Sequence, residues 1–198
     1  MKKIKIFLAS SNELIKDRRS FEIEIYRKCK MWIDQGIFLH LEIWEDLTAA
    51  MSQTASQDEY DKKVKAADIF VVLAYTKAGK YTVNEFNQAK RQFSATDKPF
   101  IFTYFKNLPD DVNKRTKDYK TLMAFKNQVM ELKHFYCPYD DFNDLWNQFN
   151  KELERLAKGD FLKNDFVLPN NASTRTINQG DKGIYIEKLD GGGTFNIQ

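Results

Sequence analysis

The sequence predicts a doubly wound α/β domain, an open parallel sheet of five strands with helices on both faces. Three observations carry that expectation. The stretch Ile69-Phe70-Val71-Val72-Leu73-Ala74 is continuously apolar and rich in β-branched residues, as a parallel strand covered on both faces requires. Short apolar runs alternate with longer, helix-compatible segments across residues 1–158. Each connection between runs is long enough for a crossover.

Taken in order, Ile4 to Ala9 reads as a buried strand that runs into Ser10-Ser11-Asn12, residues suited to a helix N-cap. From Glu13 to about Gln35, Leu14, Phe21, Ile25, Cys29 and Trp32 recur near helical spacing, and Gly36 supplies the stop. Phe38 to Trp44 is a second strand. After a loop from Glu45 to Ser56, Gln57 to Ala67 is charged and helix-compatible and leads to the central strand at Ile69. A loop from Tyr75 to Tyr81 precedes a helix from Val83 to about Ala95, and Pro99 introduces a fourth strand, Phe100 to Phe105. A helix near Tyr119 to Lys133, a short strand His134 to Cys137 and a helix from about Asp141 to Leu156 complete the series. The predicted arrangement is of flavodoxin-like type, in which ligands sit beyond the carboxyl ends of the strands. The loops that matter are therefore Ala9 to Asn12, Trp44 to Met51 and Tyr75 to Glu85.

Beyond residue 158 the composition changes. Residues 159–182 read as a linker, with Pro169-Asn170-Asn171 and Gln179-Gly180-Asp181 as turn signals. Residues 183–198 hold two short alternating segments, Gly183 to Glu187 and Thr194 to Ile197, joined through Asp190-Gly191-Gly192-Gly193. They predict a β-hairpin or β-arch that docks on the domain or on another chain, because two strands bury no core alone.

Composition narrows the function classes. An apolar fraction of 42% with 16 Phe and 9 Tyr is ample core material, which argues against global disorder. A net charge of +3 from 31 basic and 28 acidic residues is a mixed surface and speaks against direct nucleic-acid binding. Cys29 and Cys137 belong to no metal-spaced cluster and are read as reduced thiols. The apolar run near Met1 is too short for a signal or a membrane span, so a cytoplasmic protein without membrane contact is expected.

Motifs narrow them further. No GxGxxG follows the first strand and no GxxxxGK[ST] occurs, so neither a hydride-transfer nucleotide site nor a P-loop is supported. His40 and His134 read as packed or edge residues, and no metal site is expected. The positive signal is Lys80-Tyr81-Thr82-Val83-Asn84-Glu85-Phe86, just after the central strand. Thr82 with Glu85 fits a capping box, which explains both residues without chemistry. Alternatively, Glu85 in the first helical turn at the strand edge is a carboxylate held ionised by the helix dipole. Tyr81 either walls a pocket or packs beside the helix start. Ser10, Ser11 and Asn12 either cap the first helix or offer donors to phosphates. Trp44, Glu45 and Asp46 are candidates for the opposite wall. Arg18 and Arg19 read as solvated helix residues, and Tyr104 and Phe105 as packing at a strand end.

With these residues in view, the chain resembles the Toll/interleukin-1 receptor (TIR)-like domain family, over about residues 3 to 158. The apolar strand running into Ser10-Ser11, the run Ala67 to Leu73, and an aromatic four residues before an acid, here Tyr81 and Glu85, are the shared features. Tyr81 stands where the family usually has Trp, and the loop after Trp44 lacks the expected Pro and Gly. The resemblance implies a single-Glu NAD glycohydrolase, with Glu85 catalytic and Ser10, Ser11, Trp44, Asp46 and Tyr81 at the substrate, NAD being substrate and not cofactor. It also implies activation by self-association or a clustering partner, and a role in antiviral defence through NAD depletion or a cyclic ADP-ribose signal. Chemistry suits the assignment: nicotinamide leaves a pyridinium as a neutral group, so one carboxylate suffices to stabilise the oxocarbenium-like state. The competing expectations are a nucleoside deoxyribosyltransferase-like enzyme and a non-catalytic self-association module.

Overall fold

The structure, a computed structural model, describes residues 1–43, 57–159, 184–186 and 195–197. Its strands are β1 (Lys2–Ser10), β2 (Ile37–Ile43), β3 (Ile69–Ala74), β4 (Phe100–Lys106), β5 (Cys137–Tyr139), β6 (Ile184–Ile186) and β7 (Phe195–Ile197). Its helices are α1 (Ile15–Trp32), α2 (Gln57–Lys65), α3 (Lys80–Thr96), α4 (Lys117–Glu131) and α5 (Phe142–Lys158). The chain divides into two compact units, Met1–Lys151 and Glu152–Gln198.

In the first unit five parallel strands form one sheet in the order β2-β1-β3-β4-β5. This is the flavodoxin-like open sheet, with its strand order reversing between β1 and β3. All six residues of β3 are buried, which is why the strand carries no polar residue. At the β2 edge burial alternates strictly, since only one face of that strand is fully covered.

Each face has its own core. On one, Phe7 stacks on Phe70 at 5.7 Å and Phe86 meets Phe125 edge-on at 5.1 Å, joining β1 and β3 to α3 and α4. On the other, α1 packs on α5 through Phe21 and Phe149, with ring centroids 4.9 Å apart, and Phe102 of β4 meets Phe149 at 5.9 Å. Gly36 ends the α1 region at φ 75°, the left-handed conformation that glycine adopts without penalty.

Three elements differ from expectation. Helix α1 is shorter than the span from Glu13 to Gln35, because 3-10 turns at Asn12–Leu14 and Ile33–Gln35 occupy its two ends. Helix α3 starts at Lys80 on an extended Gly79, one turn before the expected Val83. The fifth strand is Cys137–Tyr139 and not His134 to Cys137. Lys133 adopts φ 53°, and the chain after α4 turns with Phe135 at 92% exposure before it reaches β4. Pro138 is tolerated there because β5 is an edge strand.

In the second unit β6 and β7 pair antiparallel, with Ile184 opposite Ile197. Among the described residues no helix is long and apolar enough to cross a membrane.

Candidate functional site

The reversal of strand order between β1 and β3 leaves a crevice at their carboxyl ends, and a cavity of about 290 Å³ lies there. Ser10, Ser11 and Asn12 enter it from the end of β1, Arg18 from α1, and Lys77, Gly79, Tyr81, Thr82 and Glu85 from the segment that follows β3. Two of the three loops singled out by the sequence thus meet. Trp44, Glu45 and Asp46 lie outside the described residues.

Glu85 reaches the cavity because of helical spacing. Thr82, Glu85, Phe86 and Ala89 fall at i, i+3, i+4 and i+7, and all four are buried. Phe86 and Ala89 belong to the apolar core, while Glu85 occupies a position on the same stripe where an apolar residue is the usual choice. Its side chain is therefore a carboxyl group on the inward face of a helix, and the residue is only 8% exposed.

The capping box expected of Thr82 and Glu85 does not form. Gly79 is the N-cap and no side chain caps the helix, so Thr82 lies in the first turn and Glu85 in the second. The unpaired amide groups that give a helix its positive end stop short of Glu85. The expected ionisation by the helix dipole gives way to burial. Desolvation raises the Glu85 pKa from 4.5 to about 7; Arg18 pulls it down, and Asp61 of α2 pushes it up. Among the described residues no group hydrogen-bonds this carboxyl. Desolvation without compensating hydrogen bonds favours the neutral acid, so the carboxyl is divided between its protonated and ionised forms near neutral pH, and a cation beside it would favour the ionised one.

Arg18, expected in solvent from its charge, is buried. It is 1% exposed, whereas its neighbour Arg19 is exposed as expected. The signal was present in the spacing: Leu14, Arg18, Phe21 and Ile25 fall on one stripe of α1, so position 18 points inward whatever occupies it. Its guanidinium donates to Ser10 Oγ at 2.7 Å, to the Ser11 carbonyl at 2.9 Å and to Asn12 Oδ1 at 3.5 Å. The turn after β1 is thereby bound to α1 by a charged side chain, not by a cap, and Ser11 makes no capping bond.

Glu13 closes the other side of the same turn. Its carboxylate accepts from Ser11 Oγ at 2.8 Å, from the Thr76 amide at 3.1 Å, from the Lys77 amide at 3.3 Å and from the Thr76 hydroxyl. One side chain so joins the two segments that flank the cavity. Tyr81 stands at the mouth, 61% exposed.

A second polar cluster lies next to the site, at the ends of β4 and β5. Asp17, adjacent to Arg18 and buried, accepts from Lys106 Nζ at 3.0 Å and from the Tyr139 hydroxyl at 3.0 Å. Lys106 also sits over the Tyr75 and Tyr139 rings, at 5.6 and 5.7 Å. Burial, with Asp17 beside it, raises the Tyr139 phenol far above its ordinary range.

The remaining candidates lie elsewhere. His40 contacts Glu42 at 3.0 Å on the edge strand, and burial lowers the pKa of His134. Tyr104 and Phe105 are buried in the sheet. Cys29 is buried and accepts the Leu39 amide at 3.3 Å, and Cys137 is exposed; both are free thiols. Among the described residues no group of three or more His, Cys, Asp or Glu is placed to hold a metal ion. Compared with known proteins, the chain matches no family model, and no curated protein matches it.

Proposed function

We propose that this domain is an NAD glycohydrolase in which Glu85 acts alone on the nicotinamide N-glycosidic bond. The observation that carries the reading is a desolvated carboxyl at the carboxyl end of the strand-order reversal, with a buried guanidinium on the same cavity. A cationic pyridinium entering the cavity draws the proton off Glu85, because the charge pair is favoured where water is excluded. The bond from ribose C1′ to the pyridinium nitrogen then breaks, and its electron pair stays on nicotinamide, which leaves neutral. The carboxylate stabilises or traps the oxocarbenium-like ribosyl group. Water attacking C1′ and losing a proton gives ADP-ribose; attack by the substrate's own adenine gives a cyclic product.

A cavity of about 290 Å³ admits one end of a dinucleotide, so the nicotinamide ribosyl end goes inside and the remainder lies across the mouth, past Tyr81 and Lys77. By the family resemblance, the protein works in the cytoplasm, self-associates or is clustered by a partner, and depletes NAD in antiviral defence. Incubation of concentrated protein with NAD should release nicotinamide, and Glu85→Gln should lower the rate by several orders of magnitude. Equal rates for the two proteins would remove Glu85 from the chemistry.

One observation favours a second reading. Asp61 lies near enough to raise the Glu85 pKa, so two carboxyl groups stand near the site, as an N-ribosyl hydrolase or transferase acting on an uncharged nucleoside base would need. Release of free base from nucleosides, without release of nicotinamide from NAD, would select it.

A further inference from the structure

A second cavity, of about 320 Å³, lies against the amino-terminal half of β1. β1 pairs with β2 from Lys2 to Leu8 but with β3 only from Ile6 to Ser10, so its first residues have a strand neighbour on one side alone. Phe7 lies in the doubly flanked part and is buried, whereas Lys3 and Lys5, on the same face by alternation, lie in the singly flanked part. Both line the cavity, joined by His40 and Glu42 of β2 and by Lys62 and Lys63 of α2. Among the described residues, four lysines thus face one carboxylate.

That carboxylate is already committed. Glu42 accepts from Lys63 Nζ at 2.8 Å and contacts His40 Nε2 at 3.0 Å. Although burial raises its pKa, Lys63 and His40 hold it below the ordinary carboxylate range, so it stays charged. Asp68, the next acid, accepts the Lys5 backbone amide and the Lys98 ammonium. Among the described residues neither Lys3 nor Lys5 has a hydrogen-bond or ion-pair partner for its ammonium. Lys3 and Lys5 stand on one strand face with their Cα atoms about 6.6 Å apart along the strand, so two like charges project from the same side of β1. A single small anion meets one of them, whereas a chain of adjoining phosphates spans both and reaches the α2 lysines.

We propose that this cleft binds an oligophosphate, a chain of linked phosphates either free or carried by a nucleotide, at a site separate from the Glu85 cavity. Phe7 lines both cavities, but Glu85 lines only the first, and the binding claim is independent of what Glu85 does. Isothermal titration of the full chain with inorganic triphosphate should give saturable one-to-one binding that weakens with added salt. Lys5→Met and, on the exposed surface, Lys62→Glu should each weaken it at least tenfold. Glu42→Gln should tighten it severalfold, and sulfate should bind at least tenfold more weakly than triphosphate. A parallel titration with ATP distinguishes the sources: comparable affinity assigns the nucleotide-borne chain, and failure of ATP alone assigns the free one. No saturation at millimolar triphosphate, or affinity unchanged in both lysine variants, overturns the proposal. So does sulfate binding as tightly as triphosphate. Nicotinamide release from NAD by Lys62→Glu, measured beside the titration, should equal that of the parent chain.

Discussion

Arg18 of α1 and Glu85 of α3 line one cavity, and the guanidinium draws the buried carboxyl back toward ionisation. Because desolvation outweighs this pull, the group titrates near 7 and its charge is set by pH in the range where the protein would work. The proposed reaction needs the carboxylate. Hence kcat/KM for nicotinamide release should rise with pH through an inflection near 7, the Glu85 value in the free protein. The inflection in kcat should lie lower, since bound pyridinium favours the ionised form. Arg18→Met should move both upward. A profile flat from pH 5 to 9 would detach Glu85 from the rate.

The same shift fixes the sign of a stability effect. The unfolded chain releases this proton near 4.5 and the folded chain near 7, so the folded state binds protons more tightly between those values. Stability from this group is complete below pH 4.5 and is lost as pH rises toward and through 7, by about 3 kcal/mol. Glu85→Gln removes the titration. Denaturant midpoints should show the variant more stable than the parent at pH 8 and nearly equal at pH 4.5. A variant destabilised at both pH values would show that the carboxyl makes a structural bond.

The fold was legible where one physical demand dominated. Residues 69–74 must be buried on both faces, and their composition says so. The site was legible only in part, because residue type and position on the helix point different ways. Charge alone predicts a solvated Arg18, although Leu14, Phe21 and Ile25 put position 18 on the inward stripe. Thr82 and Glu85 matched a capping motif, but Gly79 takes the cap and moves the helix start back one turn. The fifth strand was misplaced because the aromatics of His134-Phe135-Tyr136 imitate a buried run, while Phe135 is exposed. The Asp17–Lys106–Tyr139 cluster left no local signal, since its members are 89 and 122 positions from Asp17.

At the mouth of the cavity Tyr81 offers an exposed ring beside Glu85, one helical turn away. Stacking depends on ring area. Tyr81→Ala should therefore raise KM for NAD more than Tyr81→Phe or Tyr81→Trp does. Equal effects of all three substitutions would assign the role to the hydroxyl.

In the neighbouring cluster the Tyr139 phenol and the Lys106 ammonium share Asp17. Tyr139→Phe deletes one donor and leaves a buried carboxylate with one partner fewer, a loss of about 1–2 kcal/mol. Because Asp17 precedes Arg18 on α1, slackening here should also be felt in the cavity. Thermal and denaturant unfolding should show the loss, and the kcat/KM inflection should shift with it. A fully stable Tyr139→Phe variant with an unmoved inflection would make the cluster inert.

Assembly follows from what the sheet and the tail leave unpaired. β2 and β5 are edge strands, and edges are places where another chain can add. In the second unit β6 and β7 contribute three residues each, and a two-stranded pair alone is marginal in water. If the pair docks on something beyond itself, the proposed activation by self-association makes a second copy of the chain the expected partner. Specific activity toward NAD should then rise with protein concentration, as it does when a site is completed only in the assembled state. Deletion from Gly159 onward keeps all five strands of the first unit and the whole of α5, so the α/β domain should remain folded by circular dichroism. Light scattering on the full and shortened chains across a concentration series should show smaller oligomers for the shortened one, and its activity should lose most of the concentration dependence. Identical scattering and identical activity curves for the two chains would take the tail out of assembly.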